Sequence, residues 1–443
     1  MADASAGSRS RSVDHIGPSQ SNQAGIDSLQ DTTILVTFQL LSEPNRMGTD
    51  TSADGAVVVV SNQAPAAVTF VRSLGRRGVE TIAAGERQQT PAVASRHCDE
   101  AVELPDPFTD LLAYRDALLA LAERSSVRTI VPVREPDVYV LAKYRASFGD
   151  HVATLWPDAE TLERAHDRVA LADAARAAGV AVPETELLTA VDSWTDRRIV
   201  KARYGFLADR YVDDIEPATA RQMGATRYVD PGAPPDVDAV VEEMGHVPIV
   251  QEYVEGTEYT IRALYDRGER VLSTGKALRR GMKYPRGPSV YHEAVDIPEL
   301  EAAGTAVLDE LDWHGPASVG FIRDAETGTF KLLEINPRFW ASLPCDVHAG
   351  VDYPYYYWQL AAGESGPFDP PYSPGTASHF LRGELVHLHS VLTEEYAYVP
   401  RPSVAATVAG LGLSLLTQPN FYLFSLDDPR PFLRDVLNTV RSG

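Results

Sequence analysis

A carboxylate and an amide stand two residues apart in Lys331-Leu-Leu-Glu-Ile-Asn-Pro-Arg-Phe-Trp340. Glu334 and Asn336 are hard oxygen donors of the kind Mg²⁺ takes alongside phosphate oxygens and water. Side chains alternate along a strand, so Leu332, Glu334 and Asn336 are expected on one face, with Leu333 and Ile335 in the core. Pro337 ends the strand, and Arg338 follows with a planar fork suited to phosphate. The bland alternative is a surface strand carrying a stray acid. Unpaired inward acids are rare, which argues against it.

Two further segments offer nucleotide chemistry. Lys201 ends the apolar run Ile199-Val200-Lys201 in a chain with only five lysines among its 40 basic residues. An ammonium acts as a point charge on phosphate oxygens, although a strand-end lysine is also an ordinary solvated edge residue. In Val250–Glu258 an extended apolar stretch exposes backbone groups able to read an adenine edge. Glu258 beyond Gly256 could accept ribose hydroxyls, and one more amphipathic strand is the plain alternative.

The elements that must position these residues fall into three regions, giving an α/β and α+β fold class. Residues 1–55 read as a disordered N-terminal extension, with an isolated apolar run Thr33–Leu41 and Met47 as a candidate start. Residues 56–155 form a βα domain. Ala56–Val60 is a buried parallel strand, and Val79–Ala83 and Thr129–Pro132 are further strands. Helices are expected over about Ala66–Arg77, Thr109–Glu123 and Pro136–Phe148. Asp158 caps one helix running to Ala178, stopped by Gly179. Residues 156–364 continue as mixed strands and helices, with hairpins at Asp266-Arg267-Gly268-Glu269 and Asp324–Gly328. Residues 365–443 are a small, mostly helical C-terminal region after a Pro/Gly-rich linker.

In this order and spacing the segments resemble the ATP-grasp superfamily. Within it they are most similar to carboxylate–amine ligases of the carbamoyl-phosphate synthase, biotin carboxylase and D-aspartate ligase type. The resemblance covers about Ala56–Glu364 and implies a Rossmann-like pre-ATP-grasp domain, a two-lobed ATP-grasp domain and the C-terminal region. It implies ATP and Mg²⁺ (or Mn²⁺) as cofactors. Lys201 then resembles the lysine on the α/β-phosphates, and Glu252, Tyr253 and Val254 the adenine hinge. Glu258 resembles the ribose acceptor, Glu334 and Asn336 the metal pair, and Arg338 the arginine on the transferring group. Arg279 or Arg280 is placed like the basic residues that hold the acceptor carboxylate and γ-phosphate. The implied activity joins a small-molecule carboxylate, activated as an acyl phosphate, to an amine. A degenerate relative that binds nucleotide or metabolite without turnover is the alternative.

The sequence departs from the family pattern at three points. Arg168 stands where relatives have a phosphate-binding lysine, and the loop Tyr204–Ala208 has a single glycine. Gly320 occupies the place of a further metal ligand, for which Asp324 and Glu293 are the candidate substitutes.

Composition narrows the remaining classes. A net charge of −22 repels a phosphate backbone, so no nucleic-acid partner is expected. With few lysines it fits a halophilic cytoplasm, or an ordinary acidic protein. Two cysteines make no disulfide framework. No stretch suits a membrane span, so a cytoplasmic location is expected, with a homodimer compatible. The turn Ser61-Asn62-Gln63-Ala64-Pro65 lacks a GxGxxG, which opposes a dinucleotide-dependent oxidoreductase. His97-Cys98, His387 and His389 lack ligand partners, and the Tyr353–Trp358 aromatics read as core.

Overall fold

Five consecutive apolar residues with no polar face suit only a strand covered on both sides, and Ala56–Val60 (β1) is fully buried. The computed structural model describes residues 54–87, 89–224, 226–285, 287–396 and 399–442. The expected N-terminal extension, with Thr33–Leu41 and Met47, lies outside these residues except for its last two. After β1 come α1 (Pro65–Gly75), β2 (Glu80–Gly85), β3 (Glu100–Glu103), α2 (Leu111–Ala122) and β4 (Val127–Val131). The four strands pair in parallel in the order β3-β2-β1-β4. β3 was not expected. Its Glu-Ala-Val-Glu sequence at a sheet edge has too few apolar residues to show a period.

The helix expected over Pro136–Phe148 is two, α3 (Glu135–Lys143) and α4 (Arg145–Gly149). Tyr144 between them leaves helical geometry at φ −106°, ψ 26°. The single helix expected from Asp158 to Ala178 also divides, into α5 (Ala159–His166) and α6 (Arg168–Ala177). Asp167 takes an extended conformation (φ −77°, ψ 105°). Its carboxylate caps α6 by accepting from Val169 N at 3.0 Å and is held by Arg203 Nε at 2.8 Å. An aspartate so engaged competes with helix continuation, and nothing local in the sequence announces its partner.

Next come β5 (Thr185–Leu187), β6 (Arg198–Lys201), β7 (Phe206–Leu207), β8 (Arg221–Gln222), β9 (Thr226–Val229), α7 (Val237–Met244) and β10 (Ile249–Glu252). They form an antiparallel sheet, β5-β10-β6-β9, with the short β7–β8 pair beside it. Val200, Val229, Val240, Met244 and Val250 fill a small core of their own.

The larger sheet contains β11 (Gly256–Asp266), β12 (Glu269–Gly281), β13 (Ser289–Val295), β14 (Gly315–Asp324) and β15 (Phe330–Asn336). The helix α8 (Pro298–Glu310) precedes β14, and α9 (Leu343–His348) and α10 (Tyr353–Ala361) follow β15. With β16 (Ala377–His379) the antiparallel order is β15-β14-β11-β12-β13-β16. Both expected hairpins are present. Arg267 (φ 50°) and Gly268 (φ 81°) turn β11 into β12, and the Asp324 carboxylate accepts from Glu326 N and Thr327 N between β14 and β15. Tyr353, Tyr357 and Trp358 are buried.

The chain ends in α11 (Leu381–Thr393), α12 (Val404–Thr417) and α13 (Arg430–Ser442). His387 and His389 therefore lie on a helix, and the His387 Nδ1 is 2.8 Å from the carbonyl of Gly281. Among the described residues no helix is long and apolar enough to cross a membrane. The fold is mixed α/β: a parallel sheet first, an antiparallel two-lobed region next, then helices.

Candidate active site

One irregularity in β15 sets the geometry of its polar face. Gly320 pairs with Glu334, but Phe321 pairs with Leu332, so Leu333 is an extra residue in the ladder. Strict alternation would put Leu332 beside Glu334. The bulge instead sends both Leu332 and Ile335 into the core, while Glu334 and Asn336 share the opposite face. Glu334 thus stands across from Gly320 and Asn336 across from Ser318. A Cβ added at Gly320 would meet Glu334 Cγ at 3.4 Å, an ordinary contact, so a side chain could begin there without a clash.

Three side chains link along this edge. Asn336 Nδ2 donates to Glu334 Oε1 at 3.1 Å, and Arg338 Nη2 donates to Asn336 Oδ1 at 3.2 Å. From the other side Arg168 Nη2 approaches Glu334 Oε2 at 3.5 Å. Arg168 reaches in because the break at Asp167 makes it the first residue of α6. Its Nη1 donates to the carbonyl of Ala202 at 2.7 Å, and its backbone N–H to that of Arg203 at 3.1 Å. Partial withdrawal from water into the cleft pushes the Glu334 carboxyl up, but Arg168, the Asn336 amide, Lys201 and Arg338 hold it below its ordinary value. It is therefore an anion, and its side chain is 48% exposed.

These groups line a cavity of about 410 Å³ between the starts of α3 and α6, the β7–β8 pair and the end of β15. Gly205, Phe206, Gln222 and Met223 form one wall. The loop after Lys201 is accordingly packed down, with Gln222 Nε2 and Met223 N donating to the carbonyl of Gly205.

The sequence-predicted residues divide into three sets. Arg168, Glu334, Asn336 and Arg338 meet in the cavity. Lys201, at the end of β6, is near enough to act electrostatically on Glu334. Glu252, Tyr253, Val254 and Glu258 lie at the junction of β10 and β11, off the cavity's described lining. Val254 is buried there, and the Glu252 carboxylate is bound by Lys331 Nζ at 3.1 Å. Arg279 and Arg280 are also elsewhere, on β12. Arg279 Nε binds Glu293 at 2.8 Å, and Arg280 Nη1 donates to Glu384 at 3.2 Å. Of the candidate substitutes for Gly320, Glu293 is thus held by Arg279, and Asp324 is paired with Lys331 at 3.0 Å.

Among the described residues no group of three or more His, Cys, Asp or Glu gathers as a metal cluster. One ionised carboxylate and one amide, side by side on a cavity wall, suit a single Mg²⁺ that keeps waters and substrate phosphates as its other ligands. The donor set therefore fits that ion.

Sequence reasoning missed what positions Arg338. Glu135 Oε1 accepts from Arg338 Nε at 3.1 Å, across 203 residues, and Glu135 Oε2 lies 3.0 Å from His166 Nε2. The His166 Nδ1 is 2.8 Å from the Tyr211 hydroxyl. Glu135 opens α3 just past the carboxyl end of β4, and the carboxyl ends of parallel strands are where such folds bind ligands, which is the signal that could have found it. Burial pushes the Glu135 carboxyl up, yet Arg338 and His166 bring it from 4.5 to about 2. The unfolded chain therefore takes up a proton near pH 4.5 that the folded chain refuses until about pH 2. The stabilisation, on the order of 3 kcal/mol, is complete above that window and is lost as pH falls through it. Glu135→Gln is expected to lower urea stability at pH 7 by about that amount and to flatten its fall between pH 5 and pH 2. An unchanged acid slope would show that this contact does not carry the effect.

A second missed group lies behind the site on the same face of the sheet. Arg262 on β11 pairs with Ser318, which pairs with Asn336. Arg262 is buried; its Nη1 donates to Ser318 Oγ and its Nη2 to Ser342 Oγ at 3.1 Å. Lys276 on β12 is fully buried and lies 3.0 Å from the fully buried Asp346. Asp346 also accepts from Thr274 Oγ1 at 2.9 Å and Trp340 Nε1 at 2.8 Å. Burial above all, with a contribution from Arg338, brings the Arg262 guanidinium down to about 10, while Asp346 opposes the shift. Asp346 thus pairs with Lys276 and acts on the buried Arg262 from farther away.

Residues 246–378 match the model of a family described as ATP-grasp in the biosynthetic pathway with Ter operon. No curated protein matches the chain. Among solved structures, Rhizobium etli pyruvate carboxylase is similar at 17% identity and TM-score 0.55. The likeness covers 73% of this chain and 29% of that much longer one. The biotin carboxylase domain of Hydrogenobacter thermophilus 2-oxoglutarate carboxylase, a dimer solved with MgADP, ADP and bicarbonate, aligns at 16% identity and TM-score 0.54. There 72% of this chain and 73% of that one are covered. The L-amino acid ligase from Bacillus licheniformis aligns at 15% identity and TM-score 0.53, covering 73% and 78%. At these identities the likeness establishes the fold alone, and the family model matches residues 246–378 of this chain.

Proposed function

We propose that the protein is an ATP-dependent ligase that activates a small-molecule carboxylate as an acyl phosphate and couples it to an amine. The observation that carries this reading is the convergence of Glu334, Asn336 and Arg338 with Arg168 on one cavity. In the reaction a carboxylate oxygen attacks the γ-phosphorus and ADP leaves. The amine nitrogen then attacks the acyl carbon, phosphate leaves, and the amine gives up a proton.

Glu334 and Asn336 would hold Mg²⁺, which when bound supplies positive charge to the β- and γ-phosphate oxygens. Arg338, aimed by Glu135, presents its remaining N–H groups to the transferring phosphoryl oxygens. Arg168 offers a second guanidinium from the opposite wall. Lys201 contributes charge toward the phosphates, and the backbone of Glu252–Val254 with Glu258 is our proposal for the nucleoside end. Arg279 and Arg280 are held by Glu293 and Glu384, which weighs against their touching the transferring group.

The test is incubation with ATP, Mg²⁺ and the twenty amino acids, read by ADP formation and product mass spectrometry. The expected product weighs one carboxylate plus one amine minus water, formed with one ADP and one phosphate. Failure of Mg-ATP to raise the melting temperature, together with no ADP formation from any carboxylate offered, would overturn the reading.

A further inference from the structure

Helix α13 is amphipathic, but inverted. Its aliphatic stripe Leu433, Val436, Leu437 and Val440 follows the i, i+3, i+4, i+7 spacing of a buried helix face, yet all four are exposed with respect to the described residues. Val440 is 74% exposed. Toward the body the helix turns Pro431 and Phe432 at its start and then the polar Asp435 and Asn438. Asp435 pairs with Arg382 of α11 at 3.2 Å, and Asn438 Nδ2 donates to the carbonyl of Gln89 at 2.8 Å. Neighbouring α12, Val-Ala-Ala-Thr-Val-Ala-Gly-Leu-Gly-Leu-Ser-Leu-Leu-Thr, has no charged residue in a chain that is 23% charged. It is nonetheless exposed along almost all its length, with Leu416 83% exposed. Helix α11 is tied to both, to α13 through Arg382 and to α12 through Arg280, which bridges Glu384 and Ser414.

We propose that this face of α11–α13 is the interface at which a second copy of the chain docks. Ten aliphatic side chains on the three helices, each more than a third exposed, offer roughly the 800 Å² per partner that a stable interface buries. A helix stripe of this spacing is self-complementary when two copies meet about a two-fold axis, each stripe filling the other. An anionic membrane surface is the weaker occupant, because the chain carries −22. A 14-residue helix is also only about 21 Å long, short of the ~30 Å hydrocarbon core.

The test is sedimentation equilibrium of the full chain at about 50 µM in 0.5 M KCl. It compares wild type with Leu433→Glu/Leu437→Glu and, separately, Leu413→Glu/Leu416→Glu. Wild type is expected at twice the 48.3 kDa protomer mass. At least one pair should weaken the dimer a hundredfold or more, with unchanged far-UV circular dichroism and melting temperature. A wild-type monomer would overturn the proposal, as would a dimer indifferent to both pairs. Wild type that stays monomeric and floats with 3:1 phosphatidylcholine–phosphatidylglycerol vesicles would also overturn it, assigning the face to lipid.

Discussion

Glu334→Gln is expected to lower ATP-dependent phosphate release at least about a hundredfold and to erase the extra thermal stabilisation that Mg²⁺ adds to ATP. The substitution preserves shape and changes two things. A neutral amide oxygen is a poor substitute for a carboxylate as a hard-cation ligand. The new NH₂ group, whichever way it turns, points a donor at Arg168 Nη2 or at Asn336 Nδ2, both of which now donate to Glu334. The size of the effect follows from Gly320. The residue directly opposite Glu334 brings no second carboxylate, and Asp324 and Glu293 are engaged by Lys331 and Arg279. With one acid in the donor set, nothing compensates for its loss. Asn336→Ala, which removes a neutral ligand, is expected to cost nearer tenfold. Phosphate release titrated with Mg²⁺, alongside melting with ATP in Mg²⁺ or in EDTA, measures both. Activity within threefold of wild type in Glu334→Gln would show that this carboxylate does not bind the metal.

The parts of this fold that were legible in the sequence depend on local pattern. β1 has no polar residue to expose, and Arg267-Gly268 fits a tight hairpin turn, so both could be read directly. The Glu334-Asn336-Arg338 spacing was legible for the same reason. The features that escaped depend on distant partners. Asp167 breaks a helix because Arg203 holds it, 36 residues later. The bulge at Leu333 depends on how β14 registers against β15, and it reverses which leucine is buried. Arg338 looks like a phosphate ligand in sequence, but its aim is set by Glu135 in a different sheet's loop. The exposed face of α12 and α13 was equally hidden, since a 3.6-residue period reveals an apolar stripe but not which side the body occupies.

Asp346→Asn is expected to destabilise the fold by about 3–5 kcal/mol, the usual result of removing one partner from a fully buried ion pair. Urea unfolding monitored by circular dichroism measures it. The loss should exceed that of any surface pair here, because neither Lys276 nor Asp346 is exposed and water cannot take over the solvation. Asp346 pairs with Lys276 and also acts on Arg262 from farther away, so the repair experiment is informative. Replacing an ion pair with apolar residues of similar size is often neutral, and Lys276→Met/Asp346→Leu would then recover wild-type stability. That outcome is not expected here. Arg262 would remain buried with the hydroxyls of Ser318 and Ser342 and the Trp340 ring beside it, but without the Asp346 charge. The double variant should therefore regain about half the loss, and adding Arg262→Met should regain most of the rest. Full recovery in the double variant would show that Asp346 serves Lys276 alone. Partial recovery would establish an uncompensated cation two strands from Asn336, on the face of the sheet where phosphate charge is proposed to be handled.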